Sequence, residues 1–397
     1  MQEATTTTDT REKLARVERE LGAEVLEREE VVRSMILALI AGEHVLLLGP
    51  PGTAKSRLAR SLCGRISGAS YFYACLNRSS LPDEVFGPLM LSALREDRFE
   101  RNTQGMLPEA EVAFVDEVFK SNSAVLNGML PILNERVYKS GASTTPVPLQ
   151  MAVCASNEMP EDREELSALY DRLLVRHLVL PIRDERSFEA VLLGRTRDAS
   201  PLATAPGTPP ATPRTTITLA QIARAREEAS EVDLSAVVSQ ISEIRRELSE
   251  EGIEPSVRHI DRGCYLVRAS AYLGGRREAN EEDLSPLRHV LWEDTRQIGT
   301  VADAILCRAN PYLKEAQDLA DEAEEVRAEA LKADEVEAAS KGAEANRKLK
   351  GIEGRLLDLR LKAKGAGRST GATDAALSRA KDMRKEVVAR CLGVEDI

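Results

Sequence analysis

Short apolar runs alternate, in the first half of the chain, with segments whose apolar residues recur every three or four positions. The runs are typical of buried strands, and they lie at 45–48, 70–76, 112–115, 149–155 and 176–180. The segments around them predict helices, two within 12–41 and one each at 57–66, 122–133 and 166–173. Apolar strands separated by helices predict an α/β fold, with a parallel sheet covered by helices.

The pattern changes after residue 197. Residues 198–216 contain five prolines among alanines and threonines, a composition that predicts an extended linker. Beyond it only helical spacing is found, and it predicts helices at 219–229, 234–250, 256–273 and 283–298. We therefore predict four parts: an α/β core with N-terminal helices at 1–197, the linker, an all-α domain at 217–310 and a helical module at 311–397.

The helical module carries the seam of a coiled-coil-like helix. Small and apolar residues follow one another there at three- and four-residue steps, at Ala316, Leu319, Ala323, Val326, Ala330 and Ala333. A second helix is predicted to be interrupted by glycines at 342, 351 and 354, and a hinge at 365–371 precedes a third helix at 374–392. Such a charged seam is usually structural packing, and a partner-docking arm is the alternative.

The strand at 45–48 runs directly into a turn rich in glycine and proline. The turn and the residues after it read Gly49, Pro50, Pro51, Gly52, Thr53, Ala54, Lys55, Ser56 and Arg57. A strand, a glycine turn and a Lys-Ser pair predict a phosphate cradle, in which backbone N–H groups converge on the anion. Lys55 is expected to reach the outer phosphates and Ser56 to bind Mg²⁺. The expected ligands are ATP and Mg²⁺.

Ala54 stands where such a turn normally has glycine. A methyl group is tolerable at this position if the residue already enters the helix with a negative φ. We therefore expect a negative φ at Ala54 and only a mild departure from the usual turn.

Two acids and an amide follow the later strands. Asp116 and Glu117 close the strand at 112–115, and Asn157 follows the strand at 149–155. Ligands bind at the carboxyl ends of parallel strands, so we predict that these residues complete the nucleotide site. Asp116 would hold Mg²⁺ through water, and Glu117 would polarise the attacking water. Asn157 can hold that water against the γ-phosphate, and an ordinary turn asparagine is the alternative.

Phosphoryl transfer also requires positive charge on the γ-phosphate as it leaves. The candidates are Arg172, within Leu-Tyr-Asp-Arg-Leu, and Arg258, at the start of a predicted helix. From their spacing alone, each could equally form a surface salt bridge.

Composition narrows the function classes. The chain has 397 residues, of which 43% are hydrophobic and 4% aromatic, and its net charge is −11. The acidic balance and the scarcity of aromatic residues argue against a protein that coats nucleic acid. Six scattered cysteines predict reduced thiols and neither a zinc site nor a disulfide framework. We expect no membrane span and, since residues 1–10 do not resemble a signal peptide, a cytoplasmic protein.

Eight motifs in order carry a family resemblance. They are Gly-Pro-Pro-Gly-Thr-Ala-Lys-Ser at 49–56, Glu-Val-Phe-Gly-Pro at 84–88, Gly-Met-Leu-Pro-Glu-Ala at 105–110, Phe-Val-Asp-Glu-Val at 114–118, Leu-Asn-Gly-Met-Leu at 126–130, Asn-Glu-Arg at 134–136, Ala-Ser-Asn at 155–157 and Ala-Leu-Tyr-Asp-Arg at 168–172. Together they resemble the MoxR-type AAA+ ATPases. The resemblance covers about residues 24–298 and is nearest to the branch of the regulatory ATPase RavA, which also has alanine before the P-loop lysine.

The resemblance implies an assembly and assigns roles. It implies a homo-oligomeric ring, expected to be a hexamer, with ATP bound between subunits, and the domain at 217–310 becomes the AAA+ lid. Lys55 and Ser56 then fall on the Walker A motif, and Asp116 and Glu117 on the Walker B motif. Asn157 falls on sensor 1.

Two arginines and an insert also match the family. Arg172 falls on the arginine finger that reaches the neighbour's ATP, and Arg258 falls on the sensor 2 arginine of the lid. Residues 89–107 look like the insert in the second core helix of this clade, which would project from the ring face.

Partners follow from the resemblance as well. MoxR-type proteins are commonly paired with a von Willebrand factor A adaptor. The sequence has no Asp-x-Ser-x-Ser metal motif, so such an adaptor would be a separate chain. The RavA branch can also bind partners through a β-rich insertion, whereas residues 311–397 read as wholly helical.

We therefore expect an ATP-hydrolysing ring that remodels other proteins, or inserts cofactors into them, as a chaperone does. One alternative is a motor acting on nucleic acid, which would need a basic pore. Acidic residues balance the arginines of the insert, however, in the run Arg95, Glu96, Asp97, Arg98, Glu100 and Arg101. The other alternative is a scaffold in which ATP controls assembly and turnover is incidental.

Overall fold

The computed structural model describes residues 2–141, 143–159, 168–193, 214–332, 338–365, 368 and 370–392. The described residues form two compact units. The first combines the residues up to Val238 with Glu254–Thr295, and the second combines Ser239–Ile253 with the residues from Arg296 onward.

Helices and strands alternate through the first unit, and helices form the second. The α-helices are α1 Gln2–Glu24, α2 Glu29–Ala41, α3 Lys55–Cys63, α4 Pro82–Phe86, α5 Leu91–Leu94, α6 Ser123–Glu135, α7 Glu185–Leu192, α8 Leu219–Ser230, α9 Val238–Glu250, α10 Val257–Leu273, α11 Ile298–Ala309, α12 Pro311–Leu331, α13 Ala338–Gly365 and α14 Gly371–Leu392. The strands are β1 Val45–Leu48, β2 Ile66–Ser67, β3 Tyr71–Cys75, β4 Val112–Asp116, β5 Val137–Ser140, β6 Ser143–Pro146, β7 Met151–Ser156, β8 Val175–Leu178 and β9 Ile217–Thr218. Within the described residues, 3₁₀ segments lie at Leu107–Glu109, Val118–Lys120, Glu281–His289 and Thr295–Gln297.

A parallel sheet of five strands, in the order β3-β4-β7-β1-β8, forms the centre of the first unit. Every residue of β1 and β7 is buried, as the uncharged runs predict for strands covered on both faces. In register, Leu48 at the end of β1 lies beside Ser156 of β7, and Cys75 at the end of β3 lies beside Asp116 of β4. The loops that follow β1, β4 and β7 therefore start from one edge of the sheet.

Helices from distant parts of the chain pack together in the first unit. Helix α2 contacts α1, α8 and α10, and nine of its residues, including Met35 and Ile36, are buried. Arg65 is 1% exposed and pairs with Glu20 and Glu24 of α1. A buried charge is tolerated because it is paired, and this ion network ties α1 to the chain after α3.

The five predicted strands of the sheet are confirmed within one or two residues at most ends. The antiparallel hairpin of β5 and β6 was not predicted from the sequence. The predicted helix at 166–173 lies partly outside the described residues, and 168–170 are helical. The predicted linker at 198–216 also lies mostly outside them. The four-part division of the chain stays a prediction.

The predicted helix at 283–298 is wrong. Residues Glu281–His289 form a 3₁₀ helix that contains Pro286, and the next α-helix begins only at Ile298. Asn280 caps the 3₁₀ segment, with its side chain accepting from the N–H of Glu282. Proline lacks the N–H that an α-helix interior requires. Pro286 therefore accounts for the absence of a continuous α-helix over 283–298.

The second unit contains a three-helix bundle of α12, α13 and α14 around one apolar core. The predicted seam is confirmed at the described positions, because Ala316, Leu319, Ala323 and Ala330 are buried there. Ala333 lies outside the described residues. The predicted interruption of the second helix is wrong, since α13 continues through Gly351 and Gly354. Among the described helices, none is long and apolar enough to cross a bilayer.

Candidate nucleotide-binding site

The turn between β1 and α3 has the backbone of a phosphate cradle. Gly49 has φ +144°, and a Cβ there would lie 2.1 Å from the carbonyl oxygen of Val179, so only glycine fits. Gly52 has φ +83° with open space around it. Pro50 and Pro51 are exposed beside it. The turn therefore presents its backbone to an open surface, just before the N-terminus of α3.

Lys55 begins α3 and turns its amine back into the cradle. The amine donates to the carbonyl oxygens of Gly49 at 2.5 Å and Pro50 at 3.0 Å, and to Oδ1 of Asn157 at 3.2 Å. Burial lowers the pKa of Lys55, and the carboxylates of Asp116 and Glu117 oppose this shift. The Lys55 ammonium is thus held by uncharged oxygens, and it can move from them to a phosphate bound in the turn.

Ala54 contradicts the expectation of a negative φ. It is the N-cap residue of α3, with φ +68° and ψ 20°, in the left-handed region. An L-residue with a side chain is strained there by about 1 kcal/mol. The turn keeps the backbone conformation typical of glycine although residue 54 is alanine. The substitution of alanine for the usual glycine therefore strains the backbone of the turn.

The remaining residues of the turn fix its shape or lie beside it. The Thr53 hydroxyl donates to the carbonyl oxygen of Pro50 at 3.0 Å. Ser56 is exposed at the start of α3. Arg57 donates to the carbonyl oxygen of Glu24 at 3.2 Å, so its guanidinium contacts the end of α1.

The acids and the amide meet Lys55 at the carboxyl edge of the sheet. Glu117 follows β4 with φ +53°, and its N–H donates to Oδ1 of Asp116 at 3.1 Å. The Asn157 amide donates to Oε1 of Glu117 while its own Oδ1 accepts from Lys55. Asn157 thus connects the lysine of the turn to the carboxylate after β4.

The donor set suits Mg²⁺ bound together with a phosphate. A hydroxyl from Ser56 and a carboxylate from Asp116 are the hard oxygen ligands that Mg²⁺ prefers. The described residues contain no cluster of three or more His, Cys, Asp or Glu side chains that could hold a metal alone. Mg²⁺ commonly binds through one or two protein oxygens, water and substrate phosphates, and these residues fit that pattern.

Arg172 and Arg258 lie together, on a different set of partners. Both pair with Asp171, Arg172 through Nη1 at 3.2 Å and Arg258 through Nη1 at 3.0 Å. Arg258 also donates to Oδ1 of Asn134 at 2.7 Å. Arg172 donates to the carbonyl oxygen of Ala168 at 2.9 Å. The structure therefore joins the two predicted arginines to each other through Asp171.

Comparison with known proteins identifies the family. Residues 12–211 match the MoxR domain of the MoxR-vWA-beta-propeller ternary systems, and residues 236–305 match an AAA lid domain. The chain belongs to the MoxR family of AAA+ ATPases. Two uncharacterized proteins of Methanocaldococcus jannaschii are 39% and 37% identical to this MoxR protein, over 78% and 75% of this chain and 78% and 76% of theirs.

Two further comparisons are with a relative that is named as a chaperone and with a solved structure of similar fold. Chaperone MoxR1 of Mycobacterium tuberculosis is 27% identical over 33% of this chain and 34% of its own. The crystal structure of a candidate ATPase from Cytophaga hutchinsonii superposes with a TM-score of 0.61 at 18% identity, covering 78% of this MoxR chain and 98% of that one. At that identity the match supports the fold.

The sequence did not lead us to predict a buried polar cluster that lies at the start of β1 in this MoxR protein. His44 precedes β1 and is 2% exposed. Its Nδ1 accepts from the N–H of Ala152 at 2.9 Å, and its Nε2 lies 2.9 Å from the carbonyl oxygen of Leu133. Nη1 of Arg136 lies 2.7 Å from the same Nε2, so Nε2 faces both a guanidinium donor and a carbonyl acceptor. Burial lowers the pKa of His44 well below its usual value, and Arg136 adds to the effect.

Glu43 belongs to the same cluster. It pairs with Arg262 at 2.9 Å, and burial raises the pKa of its carboxyl although Arg262 and Arg136 oppose the rise. The signal in the sequence was an acid and a histidine directly before an apolar strand, polar residues where an uncharged run begins.

Proposed function

We propose that the protein hydrolyses ATP in a ring of identical subunits. One observation carries the proposal: Asn157 contacts both Lys55 and Glu117, so the residue expected to hold phosphate is linked to the one expected to activate water. Membership of the MoxR family of AAA+ ATPases supports the same chemistry.

Each group of the candidate site has its own role in this proposal. The turn at 49–54 and the Lys55 amine hold the β- and γ-phosphates, and the N-terminus of α3 adds its dipole. Ser56 and Asp116 would hold Mg²⁺, Asp116 partly through water, and the ion would neutralise charge on the phosphates. Glu117 accepts a proton from the attacking water, and Asn157 keeps that water in line with the γ-phosphorus.

A neighbouring subunit completes the site. Arg172 would leave Asp171 and reach the ATP of the next copy, where its charge stabilises the leaving phosphate. Arg258 would act on the nucleotide of its own subunit from the lid. Their shared pairing with Asp171 supports a linked release of the two guanidiniums. We propose a hexamer, by analogy with the family.

The client is proposed to be a protein, and the site of action the cytoplasm. The family description names a von Willebrand factor A protein as a partner of related MoxR domains, and we propose such an adaptor as a separate chain. The name of Chaperone MoxR1 supports a remodelling or maturation role. The eight motifs and Ala54 favour a position near the RavA branch.

A pair of variants tests the chemistry and the subunit arrangement together. Glu117→Gln should bind ATP with unchanged affinity and lose hydrolysis, because the amide cannot accept the proton. Arg172→Ala should also lose hydrolysis with little change in nucleotide affinity.

Mixing the two inactive proteins provides the decisive measurement. If Arg172 acts on the neighbour, an interface between an Arg172→Ala site and a Glu117→Gln subunit contains every required group. Random mixing in equal amounts then restores about one quarter of the wild-type rate per interface. Full activity in either single variant, or no recovery in the mixture, contradicts the corresponding assignment. Stimulation by DNA and not by protein clients would favour a nucleic-acid motor.

A further inference from the structure

Helix α13 of the second unit has two faces with the same alternation of three- and four-residue steps. One face lies in the bundle core through Leu349, Ile352 and Leu356. The other face, called here the basic stripe, is exposed and consists of Arg347, Lys350, Gly354, Leu357, Leu361 and Lys364. Steps that average 3.5 residues keep a stripe on one side of a helix. The spacing that places α13 in its bundle is therefore repeated on its outer side.

Two leucines of the basic stripe are exposed to solvent. Leu357 is 46% exposed and Leu361 is 60% exposed. Single exposed leucines are common on protein surfaces and need no explanation. These two lie one helical turn apart, within a stripe that has Lys350 and Lys364 on either side of them. They would therefore be removed from water together by a helix that packs along the stripe.

Helix α12 carries charge of the opposite sign. It has seven acidic and two basic residues, whereas α13 has eight basic and three acidic residues. The outer side of α12 presents an acidic stripe, which consists of Asp318, Asp321 and Glu325 and is exposed. Its steps of three and four residues equal those from Arg347 through Lys350 to Gly354. The bundle thus exposes an acidic and a basic stripe of equal spacing on two of its helices.

The charges of the two stripes do not hold the bundle together. The ion pairs between its helices join other residues, such as Arg355 with Glu322 at 2.9 Å and Arg384 with Glu353 at 2.6 Å. Within the described part of the chain, no charged group of either stripe forms an ion pair. Each stripe faces away from the core that the helices share, so both are accessible to another molecule.

A second copy of the chain has the complementary surface. The acidic stripe of one copy can lie on the basic stripe of the next, because the two have opposite charge and equal spacing. Charge complementarity of this kind determines which surfaces meet. The contact joins two different surfaces, and contacts of that type repeat from subunit to subunit around a ring. Each copy would use one stripe for each of its two neighbours.

We propose that the three-helix bundle docks a second copy of this chain, with α12 of one copy packed on the basic stripe of the next. Leu357 and Leu361 are removed from water in this contact. The arginine and lysines of the basic stripe pair with the carboxylates of the acidic stripe. The inference goes beyond the proposed ATPase function, because the contact requires neither nucleotide nor the residues around Lys55.

Reversal of the charge in each stripe tests the contact. The variants Asp321→Lys/Glu325→Lys and Arg347→Glu/Lys350→Glu each give a bundle whose two stripes have the same sign. Sedimentation equilibrium of the full chain without nucleotide measures self-association. The dissociation constant should be at least about tenfold higher in either variant than in the wild-type protein. Higher ionic strength should also weaken the wild-type association.

An equal mixture of the two variants should associate as the wild-type protein does. The reversed α12 of one variant then meets the reversed α13 of the other, and the two unchanged stripes meet in the same way. An acidic protein or a nucleic acid on the basic stripe would predict no such recovery, because the α12 variant would not affect it. Recovery also requires that both variants are folded, which thermal unfolding followed by circular dichroism checks independently.

Two further variants provide the controls. Arg245→Glu/Arg246→Glu makes the same change of charge at exposed positions of α9, outside both stripes, and should leave the dissociation constant unchanged. Leu357→Gln/Leu361→Gln keeps the charges and removes the apolar contact, so the dissociation constant should rise about tenfold. Because both leucines are exposed, this variant should unfold at the wild-type temperature.

The outcomes separate this inference from the proposed function. A wild-type chain that stays monomeric without nucleotide overturns the inference, as do folded reversal variants that associate normally or a mixture that does not recover. If Arg347→Glu/Lys350→Glu abolishes binding of duplex DNA and leaves self-association unchanged, the basic stripe belongs to a nucleic-acid site instead. The rate of ATP hydrolysis by the wild-type chain tests the proposed function, whatever the bundles do.

Discussion

Ala54 is the N-cap residue of the helix that begins at Lys55, and its conformation is one that alanine rarely adopts. Its φ of +68° lies close to the +83° of Gly52 two residues earlier. A left-handed residue with a Cβ costs about 1 kcal/mol or more compared with glycine. The active turn therefore retains a strain that one substitution can remove.

Ala54→Gly should raise the free energy of unfolding by up to about 1 kcal/mol. Gly52→Ala should lower it by a similar amount, because its surroundings are open and only the backbone is affected. Urea unfolding of the two variants beside the wild-type protein measures both changes. A loss of stability in Ala54→Gly would show that the methyl group makes favourable contacts that outweigh the strain.

Residue types and strand ends were sufficient to predict that three side chains of the candidate site lie together. Lys55, Glu117 and Asn157 meet as expected, because parallel strands bring their carboxyl ends to one edge. The pairing of Lys120 with Glu117 was not predicted, since it depends on a 3₁₀ turn that begins at a left-handed residue. Periodicity carries no information on such a turn.

Among the elements, α13 shows how packing overrides propensity. Gly351 and Gly354 were predicted to interrupt it, and yet the helix is continuous because Leu349, Ile352 and Leu356 lie in the bundle core. Glycine in a helix costs about 0.5–1 kcal/mol relative to alanine. A Cβ at either glycine would meet no atom within 4 Å.

Gly351→Ala and Gly354→Ala should each stabilise the second unit by about 0.5–1 kcal/mol. Gly263→Ala in α10 is the control with the same chemical change, because its Cβ would lie 2.7 Å from Leu287 and should destabilise the first unit. Circular dichroism during thermal unfolding follows the helices of both units. Equal effects at the three glycines would contradict this packing argument.

Two other elements departed from the predictions for local reasons. The β5–β6 hairpin consists largely of serine, threonine and lysine, and the four residues of β6 are exposed, so it lacks the alternation that identifies a strand. The 3₁₀ segment around Pro286 retains apolar residues that resemble helical spacing. Polar exposed hairpins and short 3₁₀ segments are the elements that hydrophobic periodicity identifies least well.

At the scale of the whole molecule, the four histidines of the chain change the pH dependence of the folding stability in the same direction. Burial lowers the pKa of His44, His177, His259 and His289, most strongly for the first two. In the unfolded chain their pKa values are near 6.5, so the unfolded state binds more protons between pH 6.5 and the lower native values. The protein should therefore lose stability as the pH falls below about 6.5.

His44 and His177 alone should give a slope of about 3 kcal/mol per pH unit below that point. Urea unfolding at pH 7.5, 6.5 and 5.5 measures the slope. His177→Gln should reduce the slope by the contribution of one titrating histidine, whatever the substitution does to the free energy of unfolding at pH 7.5. An unchanged slope in this variant would show that His177 is already protonated in the native state or does not contribute.

The second compact unit is built from two separate stretches of chain. Glu243 and Glu247 of α9 pair with Arg308 at the end of α11, while residues 254–295 between them belong to the first unit. During synthesis, α9 leaves the ribosome before the residues it pairs with have been made. Its Ile244 and Leu248, which are buried in the folded unit, therefore lack their packing partners in the nascent chain until the rest of the unit has been synthesised.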